Sequence, residues 1–424
     1  MTPPRPTSER AAIVGLISGP AHRLDSERSL DELAGLAEAA GASVVLRMAQ
    51  ERPRPDPATF LGRGKIETLA AACAEATVDV AIFDDELSPA QLRHIEERLA
   101  VKVVDRTQLI LDIFARRART REGKWQVELA QLQYLLPRLV GAGAALSRLG
   151  GGIGTRGPGE TKLETDRRKI RQRIQQVARE IEQVRKRRAQ LRERRQKQAT
   201  PTVALVGYTN AGKTTLFNRL AREGAEANDA LFVTLDPLVR RVRLPDRREL
   251  LVSDTVGFID RLPHSLVAAF RATLEEVTEA DLVLHVIDAA SPERERHMDA
   301  VRRVLEEIGA RDVERVDVYN KCDLLEPGEL ARLRLADPAA LYISARRGDG
   351  RAELLETMAS RVALDVQRVM LTFDAHDGET AGRVARVYRH ARVLRHVTLD
   401  GRVSIEAEVP RRLLPRLRAE AAAE

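Results

Sequence analysis

The feature that most constrains the fold is a glycine-bearing loop, GYTNAGKT, between an apolar run at 203–206 and a helical pattern at 215–220. The spacing G-x-x-x-x-G-K-[ST] between a strand and a helix is typical of a phosphate-binding loop, in which backbone N–H groups and the helix N-terminus surround a phosphate. The motif therefore predicts an α/β nucleotide-binding domain. We assign nine residues to its binding site: Gly207, Tyr208, Thr209, Asn210, Ala211, Gly212, Lys213, Thr214 and Thr215.

Three residues in this part of the chain have the chemistry of phosphate and Mg²⁺ recognition. Lys213 is expected to reach the β- and γ-phosphate oxygens, and the Thr214 hydroxyl is expected to ligate Mg²⁺. Asp254 follows the apolar strand ELLVS and begins the tetrapeptide DTVG. Its carboxylate is predicted to reach Mg²⁺ through water, and the N–H of Gly257 to bond the γ-phosphate.

A second loop is predicted to respond to the γ-phosphate. Thr234, in LFVTLDP, would add a hydroxyl to Mg²⁺ only while that phosphate is present, so hydrolysis would release the loop. Its neighbours Phe232 and Val233 are assigned to the same part of the site. We expect hydrolysis of the γ-phosphate to depend on Lys213, Thr234 and Gly257.

Two further segments predict guanine recognition. Asn320, Lys321 and Asp323 lie in NKCD after the strand VERVDVY. The Asp323 carboxylate can accept hydrogen bonds from guanine N1–H and the exocyclic amine, a donor pair that adenine lacks, so adenine would leave it unpaired. Ser344 and Ala345, after the short strand LYI, can supply a backbone N–H to the guanine carbonyl oxygen.

The positive charge of the chain is concentrated in one segment. The 70 Lys and Arg residues against 63 Asp and Glu give a net charge of +7. From 167 to 198 there are fourteen basic and three acidic residues, a net of +11, which leaves about −4 for the rest (7 − 11). With only 3% aromatic residues, the composition indicates a polyanionic partner held by charge and not a base-stacking platform.

Apolar residues in the basic segment repeat every three and four positions, which predicts a long helix packed on another helix. A similar seam upstream predicts an antiparallel partner, with helices at about 106–139 and 160–198 and a glycine-rich tip between them. The two seams are Ile170, Ile174, Val177, Ile181, Val184 and Leu191, and Trp125, Leu129, Leu132, Leu136 and Leu139. This arm is either a solvated coiled coil or a binder of RNA phosphates. The residues expected to contact RNA are Arg148, Arg156, Arg185, Lys186, Arg187 and Arg188.

Alternating strand and helix patterns predict four domains: an α/β domain at 1–105, the helical hairpin at 106–198, the nucleotide-binding domain at 199–364 and a small α/β domain at 365–424. Ser88-Pro89 predicts a helix start and Asp400-Gly401 a hairpin turn.

Several classes of protein are excluded. Two cysteines cannot build a disulfide framework, and the scattered histidines lack the spacing of a transition-metal site. No apolar run reaches the ~18 residues of a membrane span, and the run at 11–18 is interpreted as a strand and not as a signal peptide. We expect a cytoplasmic protein, and nothing in the sequence demands a dimer.

Taken together, the five nucleotide-site segments resemble the G1–G5 motifs of the GTPase superfamily. GPGETKLE at 157–164, LGRGK at 61–65, the helical hairpin and LDP after Thr234 resemble the HflX family over nearly the whole chain. The resemblance implies a cytoplasmic GTPase that binds the large ribosomal subunit and uses GTP to split stalled or idle ribosomes.

Phe258 follows Gly257, where many GTPases carry the Gln that orients the attacking water, so slow intrinsic hydrolysis is expected. Asn210 matches the loop asparagine of GTPases that bind K⁺ beside the phosphates, which makes K⁺ a candidate cofactor besides Mg²⁺. Two alternatives remain: an RNA-binding or scaffolding module that uses GTP as a binding switch, and a second, ATP-dependent RNA-remodelling activity in the N-terminal domain.

Overall fold

The computed structural model describes residues 8–139, 158–197, 200–221, 232, 238–260, 271–362, 366–410, 414, 417–418 and 421. The chain forms two compact units: the first contains the described residues up to Glu182 together with Phe232, and the second contains the others. Both units carry β-sheets, so the predicted α/β fold class is confirmed.

The first unit begins with a parallel sheet whose strands alternate with helices. Its strands run in the spatial order β2-β1-β3-β4. Their bounds are β1 Glu9–Ile17, β2 Ala42–Glu51, β3 Val80–Phe83 and β4 Lys102–Asp105. The helices are α1 Arg23–Ala39, α2 Arg63–Glu75, α3 Pro89–Leu99 and α4 Arg106–Arg117, with a short 3₁₀ turn at Pro20–His22. The parallel strands alternating with helices that the sequence predicts at the N-terminus are therefore present.

Side-chain hydrogen bonds are found at the start of two of these helices. The Ser88 hydroxyl accepts from the Gln91 N–H at 3.2 Å, and the Gln91 side chain accepts from the Ser88 N–H at 3.0 Å, with Pro89 in the first turn. This reciprocal cap satisfies two N–H groups that a helix start otherwise leaves without partners. At α2 the Gly62 N–H donates to the Gln50 side chain at 2.8 Å.

The single helix predicted over 106–139 is wrong, because the structure has two helices there. α4 ends where Ala118 takes an extended backbone, and α5 runs over Arg121–Arg138. The Thr120 hydroxyl accepts from the Gly123 N–H at 3.0 Å and so starts the second helix. Threonine is a favoured N-cap because its side chain replaces the missing intrahelical acceptor.

The long basic helix is confirmed as α6, Pro158–Lys197. Its predicted seam is the least exposed stripe of the helix over the residues whose side chains are described: Val177 is 1% exposed, and Ile170, Ile174, Ile181 and Val184 are half-buried. The Arg173 guanidinium of α6 binds both carboxylate oxygens of Glu128 on α5, at 2.6 and 2.9 Å. The predicted seam of α5 is only half-buried, whereas Val127, Ala130 and Tyr134 on another face are buried.

The second unit contains a six-stranded sheet in the order β10-β9-β8-β5-β7-β6, parallel except for β6. Its strands are β5 Thr202–Val206, β6 Leu238–Arg243, β7 Glu249–Asp254, β8 Leu282–Asp288, β9 Arg315–Asn320 and β10 Leu341–Tyr342. Its helices are α7 Lys213–Ala221, α8 Arg271–Thr278, α9 Arg294–Glu307, α10 Pro327–Ala336 and α11 Arg351–Arg361, with a 3₁₀ turn at Cys322–Leu324. The central strands β5 and β8 are almost wholly buried, as expected of parallel strands covered on both faces.

The C-terminal part of this unit is a three-stranded antiparallel sheet in the order β11-β13-β12. The elements are β11 Val366–Asp374, α12 Thr380–His390, β12 Arg392–Leu399 and β13 Arg402–Pro410. Asp400 and Gly401 both have positive φ and join β12 to β13, which confirms the predicted two-residue turn. None of the helices in the described ranges combines the length and apolar character that crossing a bilayer requires.

Candidate nucleotide site

The phosphate-binding loop connects the end of β5 to the start of α7, as the sequence predicts. Gly212 has a φ of 89°, and a Cβ added there would overlap the side-chain nitrogen of Asn320. Both observations leave room for glycine alone, because other residues rarely adopt positive φ and none could avoid the overlap. Asn210 also has a positive φ, of 60°, and its side chain is exposed.

Lys213 is buried, and its ammonium group points into the loop. Its Nζ donates to the carbonyl oxygens of Gly207, at 3.0 Å, and Tyr208, at 2.8 Å. Burial lowers the pKa of Lys213 to about 8, and the nearby Asp254 carboxylate offsets part of this shift. A buried cation beside the N-terminus of α7 suits the binding of a multiply charged phosphate.

Two of the three residues assigned to Mg²⁺, Thr214 and Asp254, are in contact where β7 ends. The Thr214 hydroxyl donates to the Asp254 carboxylate at 2.8 Å, and Asp254 is 0% exposed. A hydroxyl and a carboxylate are hard oxygen ligands of the kind that Mg²⁺ prefers, so these residues fit the ion.

Thr234 and Val233 lie outside the described residues. Phe232 is described, and its ring lies 4.8 Å from that of Phe114 in a T-shaped arrangement within the first unit.

Asn320 joins the phosphate-binding loop to the loop that follows β10. Its side-chain nitrogen donates to the Ala211 carbonyl oxygen, and its side-chain oxygen accepts from the Ala345 N–H, both at 2.9 Å. The Ala345 amide, which the sequence assigns to the guanine carbonyl, is thus engaged with Asn320 in this structure. Asn320 therefore holds both loops in register, a role that its position in NKCD alone did not reveal.

The remaining residues assigned to the base lie close to Asn320. Lys321 has a positive φ of 63°, and its ammonium contacts the Asp288 carboxylate at 2.7 Å. The Asp323 carboxylate lies 3.8 Å from the guanidinium of Arg347, and its side chain is 7% exposed. Ser344 is buried, and its hydroxyl accepts from the Arg347 N–H at 3.0 Å.

One residue of this region was missed from the sequence. Arg219, in the last turn of α7, donates to the carbonyl oxygens of Ala345, at 3.1 Å, and Arg346. It fixes the loop that follows β10 to the helix that follows the phosphate-binding loop. An arginine near a helix end carries no local signal for such a long-range contact.

The segment after Asp254 lies directly on the phosphate-binding loop. The Thr209 N–H donates to the Phe258 carbonyl at 2.7 Å, and the Phe258 N–H donates to the Gly207 carbonyl at 3.1 Å. A Cβ on Gly257 would lie 2.9 Å from the Thr209 Cα, so the close approach requires glycine. The Phe258 side chain is 2% exposed and apolar, so it brings no polar group to an attacking water.

The basic residues assigned to RNA are only partly within the described ranges. Arg185, Lys186 and Arg187 are exposed on α6. Arg148 and Arg156 lie outside the described residues, and the side chain of Arg188 does as well.

Three family models match the chain in sequence order. They are described as a GTP-binding GTPase N-terminal region over residues 27–115, a GTP-binding GTPase middle region over 117–195 and a 50S ribosome-binding GTPase over 202–321.

Similar proteins cover almost all of the chain. A GTPase HflX of Caldanaerobacter subterraneus subsp. tengcongensis is 46% identical over 410 residues, which are 97% of this chain and 93% of the relative. A GTPase HflX of Escherichia coli strain K12 is 45% identical over 383 residues, 90% of this chain and 89% of the relative. A GTP-binding protein from the archaeon Sulfolobus solfataricus, crystallised with GDP, is 22% identical with a TM-score of 0.44, covering 84% of this chain and 98% of that chain.

Proposed function

The chain belongs to the HflX family of GTPases and hydrolyses GTP, and from this premise we propose that its GTP-bound form binds the large ribosomal subunit and dissociates stalled or idle ribosomes. The family model that matches residues 202–321 supports an association with the ribosome, because it is described as a 50S ribosome-binding GTPase. We further propose that the protein acts as a cytoplasmic monomer and that the ribosome stimulates hydrolysis.

The observation that carries the proposal is the charge of α6. Fourteen basic and three acidic residues lie between 167 and 198, and Arg185, Lys186 and Arg187 are exposed. A surface that only needed solubility would mix both signs. A helix with one dominant sign suits RNA phosphates, where binding releases counterions and is sensitive to salt. Arg148, Arg156 and Arg188 complete the proposed RNA contacts.

In the proposed nucleotide complex, the phosphate-binding loop from Gly207 to Thr215 surrounds the phosphates. Lys213 and the Gly257 amide contact the γ-phosphate region, while Thr214 and Thr234 ligate Mg²⁺ and Asp254 reaches it through water. When bound, Mg²⁺ would neutralise the negative charge that develops on the phosphate oxygens during hydrolysis. Asp323 accepts from the guanine edge, flanked by Asn320, Lys321, Ser344 and Ala345, and Phe232 and Val233 belong to the responsive loop.

Slow intrinsic hydrolysis follows from Phe258, which has no group that can orient water. The exposed side chain and positive φ of Asn210 are compatible with a K⁺ ion beside the phosphates. We propose that K⁺, or a group supplied by the ribosome, provides the missing stabilisation of the transition state. The domain boundaries proposed for this activity are 1–105, 106–198, 199–364 and 365–424.

Sedimentation of intact ribosomes tests the proposed splitting. Ribosomes are incubated with the protein and either a non-hydrolysable GTP analogue or GDP, and the profiles are compared. The proposal predicts conversion to separate subunits with the analogue and intact ribosomes with GDP. Binding to the large subunit without any splitting would favour the alternative of an RNA-binding module that uses GTP only as a switch.

A further inference from the structure

A cluster centred on Tyr208 connects the phosphate-binding loop to α9. The ring of Tyr208, which is 8% exposed, stacks on the His297 ring with 3.8 Å between centroids and 14° between planes. The Tyr208 hydroxyl accepts a hydrogen bond from the N–H of Asp260 at 2.8 Å. The loop, the segment after Gly257 and α9 therefore meet at one tyrosine side chain.

The carboxylate of Asp260 forms the other half of the cluster. Arg296 donates to Oδ2 through Nε at 3.0 Å and Nη2 at 2.6 Å, and Arg303 donates to Oδ1 at 3.4 Å. The Asp260 side chain is 13% exposed and that of Arg296 is 25% exposed. Charge-assisted hydrogen bonds in such a half-buried setting are stronger than those between neutral groups and are less screened by salt.

The backbone of residues 257–260 is also hydrogen-bonded to the phosphate-binding loop. Phe258 exchanges hydrogen bonds with Gly207 and Thr209, and Asp260 is attached to Tyr208 and to α9. Gly257 precedes these attachment points, and a Cβ there would lie 3.1 Å from Lys213 Nζ. The Gly257 backbone is thus held next to the Lys213 ammonium group, to which we assign the phosphate contact.

We propose that Asp260 is a positioning residue for GTP, which fixes residues 257–260 between Tyr208 and Arg296 so that the Gly257 amide meets the γ-phosphate in its binding geometry. Without this attachment, part of the binding free energy of GTP would be spent on ordering the segment. GDP has no γ-phosphate to contact that amide, so its affinity does not depend on the attachment. The inference rests on GTP binding at this site and not on the ribosome.

The test compares the affinities of GTP and GDP in full-length Asp260→Ala and Tyr208→Phe variants, using fluorescent nucleotide analogues. Tyr208→Phe removes only the hydroxyl that accepts from Asp260 and retains the ring that stacks on His297, so it remains informative if Asp260→Ala folds poorly. Asp299→Ala is the matched control. Asp299 is an exposed aspartate of α9, the helix that also carries Arg296, and it pairs with Arg302 and not with residues 257–260.

We expect Asp260→Ala to weaken GTP binding about tenfold and Tyr208→Phe about threefold to fivefold, the loss expected for a charge-assisted and a neutral hydrogen bond. In Asp260→Ala, GDP affinity should stay within about twofold, and in Tyr208→Phe, GTP affinity should fall more than GDP affinity. Asp299→Ala should leave the affinities for both nucleotides unchanged. Equal losses for GTP and GDP, or no loss of GTP affinity in folded variants, would overturn the proposal, since a merely structural role does not distinguish the two nucleotides.

Discussion

The side chain of Asn320 donates to the carbonyl oxygen of Ala211 at 2.9 Å, which joins the end of β9 to the phosphate-binding loop. Through its oxygen the same side chain accepts from the Ala345 N–H. The residue is 2% exposed, so neither contact is readily replaced by water. One amide group thereby couples the loop that binds phosphate to the loop assigned to the base.

Asn320→Ala is expected to weaken GTP and GDP binding together, because it removes a contact from each loop and leaves two buried backbone groups without their Asn320 partner. The stability of the second unit should fall by about 2 kcal/mol or more. Nucleotide titration and thermal unfolding of the variant measure the two effects. A loss of GTP affinity with unchanged GDP affinity would contradict this role and would indicate that Asn320 acts on the γ-phosphate.

Gly212→Ala is expected to abolish nucleotide binding, because the added methyl group overlaps the Asn320 side chain at a positive φ. Gly309→Ala is a matched control: Gly309 also has a positive φ, of 79°, but a Cβ there meets nothing within 4 Å. Both substitutions place alanine at a positive φ and carry the same conformational cost, so only the steric overlap distinguishes the two variants. Equal GTP affinity in the two variants, by titration, would show that the overlap is harmless.

The lowered pKa of Lys213 predicts that GTP affinity depends on pH. The folded, unliganded protein loses the Lys213 proton above about pH 8, whereas bound phosphate keeps the lysine charged. Affinity should therefore be constant well below pH 8 and fall up to about tenfold per unit above it, with proton uptake on binding. Titrations from about pH 7 to about pH 9.5 measure the decline.

Lys213→Arg is the control for this experiment, since a guanidinium stays charged throughout the range. Ionisation of the nucleotide itself affects both proteins equally. The decline attributable to Lys213 should be absent from the variant, whatever its absolute affinity. Identical pH profiles would contradict the assignment of this proton to Lys213.

Replacing Arg185, Lys186, Arg187 and Arg188 by Gln is expected to weaken binding to the large ribosomal subunit and to reduce its salt dependence. Each lost phosphate contact should lower the slope of log affinity against log salt by about 0.7–0.9. Cosedimentation at several salt concentrations measures the slope, and GTP affinity should not change. An unchanged slope would favour the alternative interpretation, in which α6 belongs to a solvated coiled coil that does not bind RNA.

The matched control replaces four basic residues outside α6, namely Arg98, Arg121, Arg311 and Arg332, all of which are exposed. It changes the net charge by the same amount. A similar loss of ribosome binding in this control would mean that total charge, and not the surface of α6, governs the interaction.

Periodicity and short motifs predicted much of this molecule because both report on local geometry. The seam of α6 and the turn at Asp400-Gly401 depend on residues near one another in sequence, and both are confirmed. The break at Ala118 was missed because one threonine cap interrupts an otherwise continuous helical pattern. The buried face of α5 also differs from its predicted seam, since packing selects among several possible apolar stripes.

The phosphate-binding loop was predictable because the chemistry of phosphate recognition demands fixed residue types at fixed spacings. The contacts of Arg219 with Ala345 and of Tyr208 with His297 were not, since each joins residues that are distant in sequence. No local pattern specifies such pairs. They depend on how the sheet and its helices bring separate loops together.

The central claim, a GTPase coupled to the ribosome, is tested most directly by steady-state GTP hydrolysis with and without purified large ribosomal subunits, in K⁺ buffer with Mg²⁺. The account predicts slow hydrolysis by the protein alone, because Phe258 cannot orient water, and stimulation by orders of magnitude when the subunit is added. Unchanged hydrolysis with GTP still bound would leave the nucleotide site intact but contradict the ribosome as the partner that controls it.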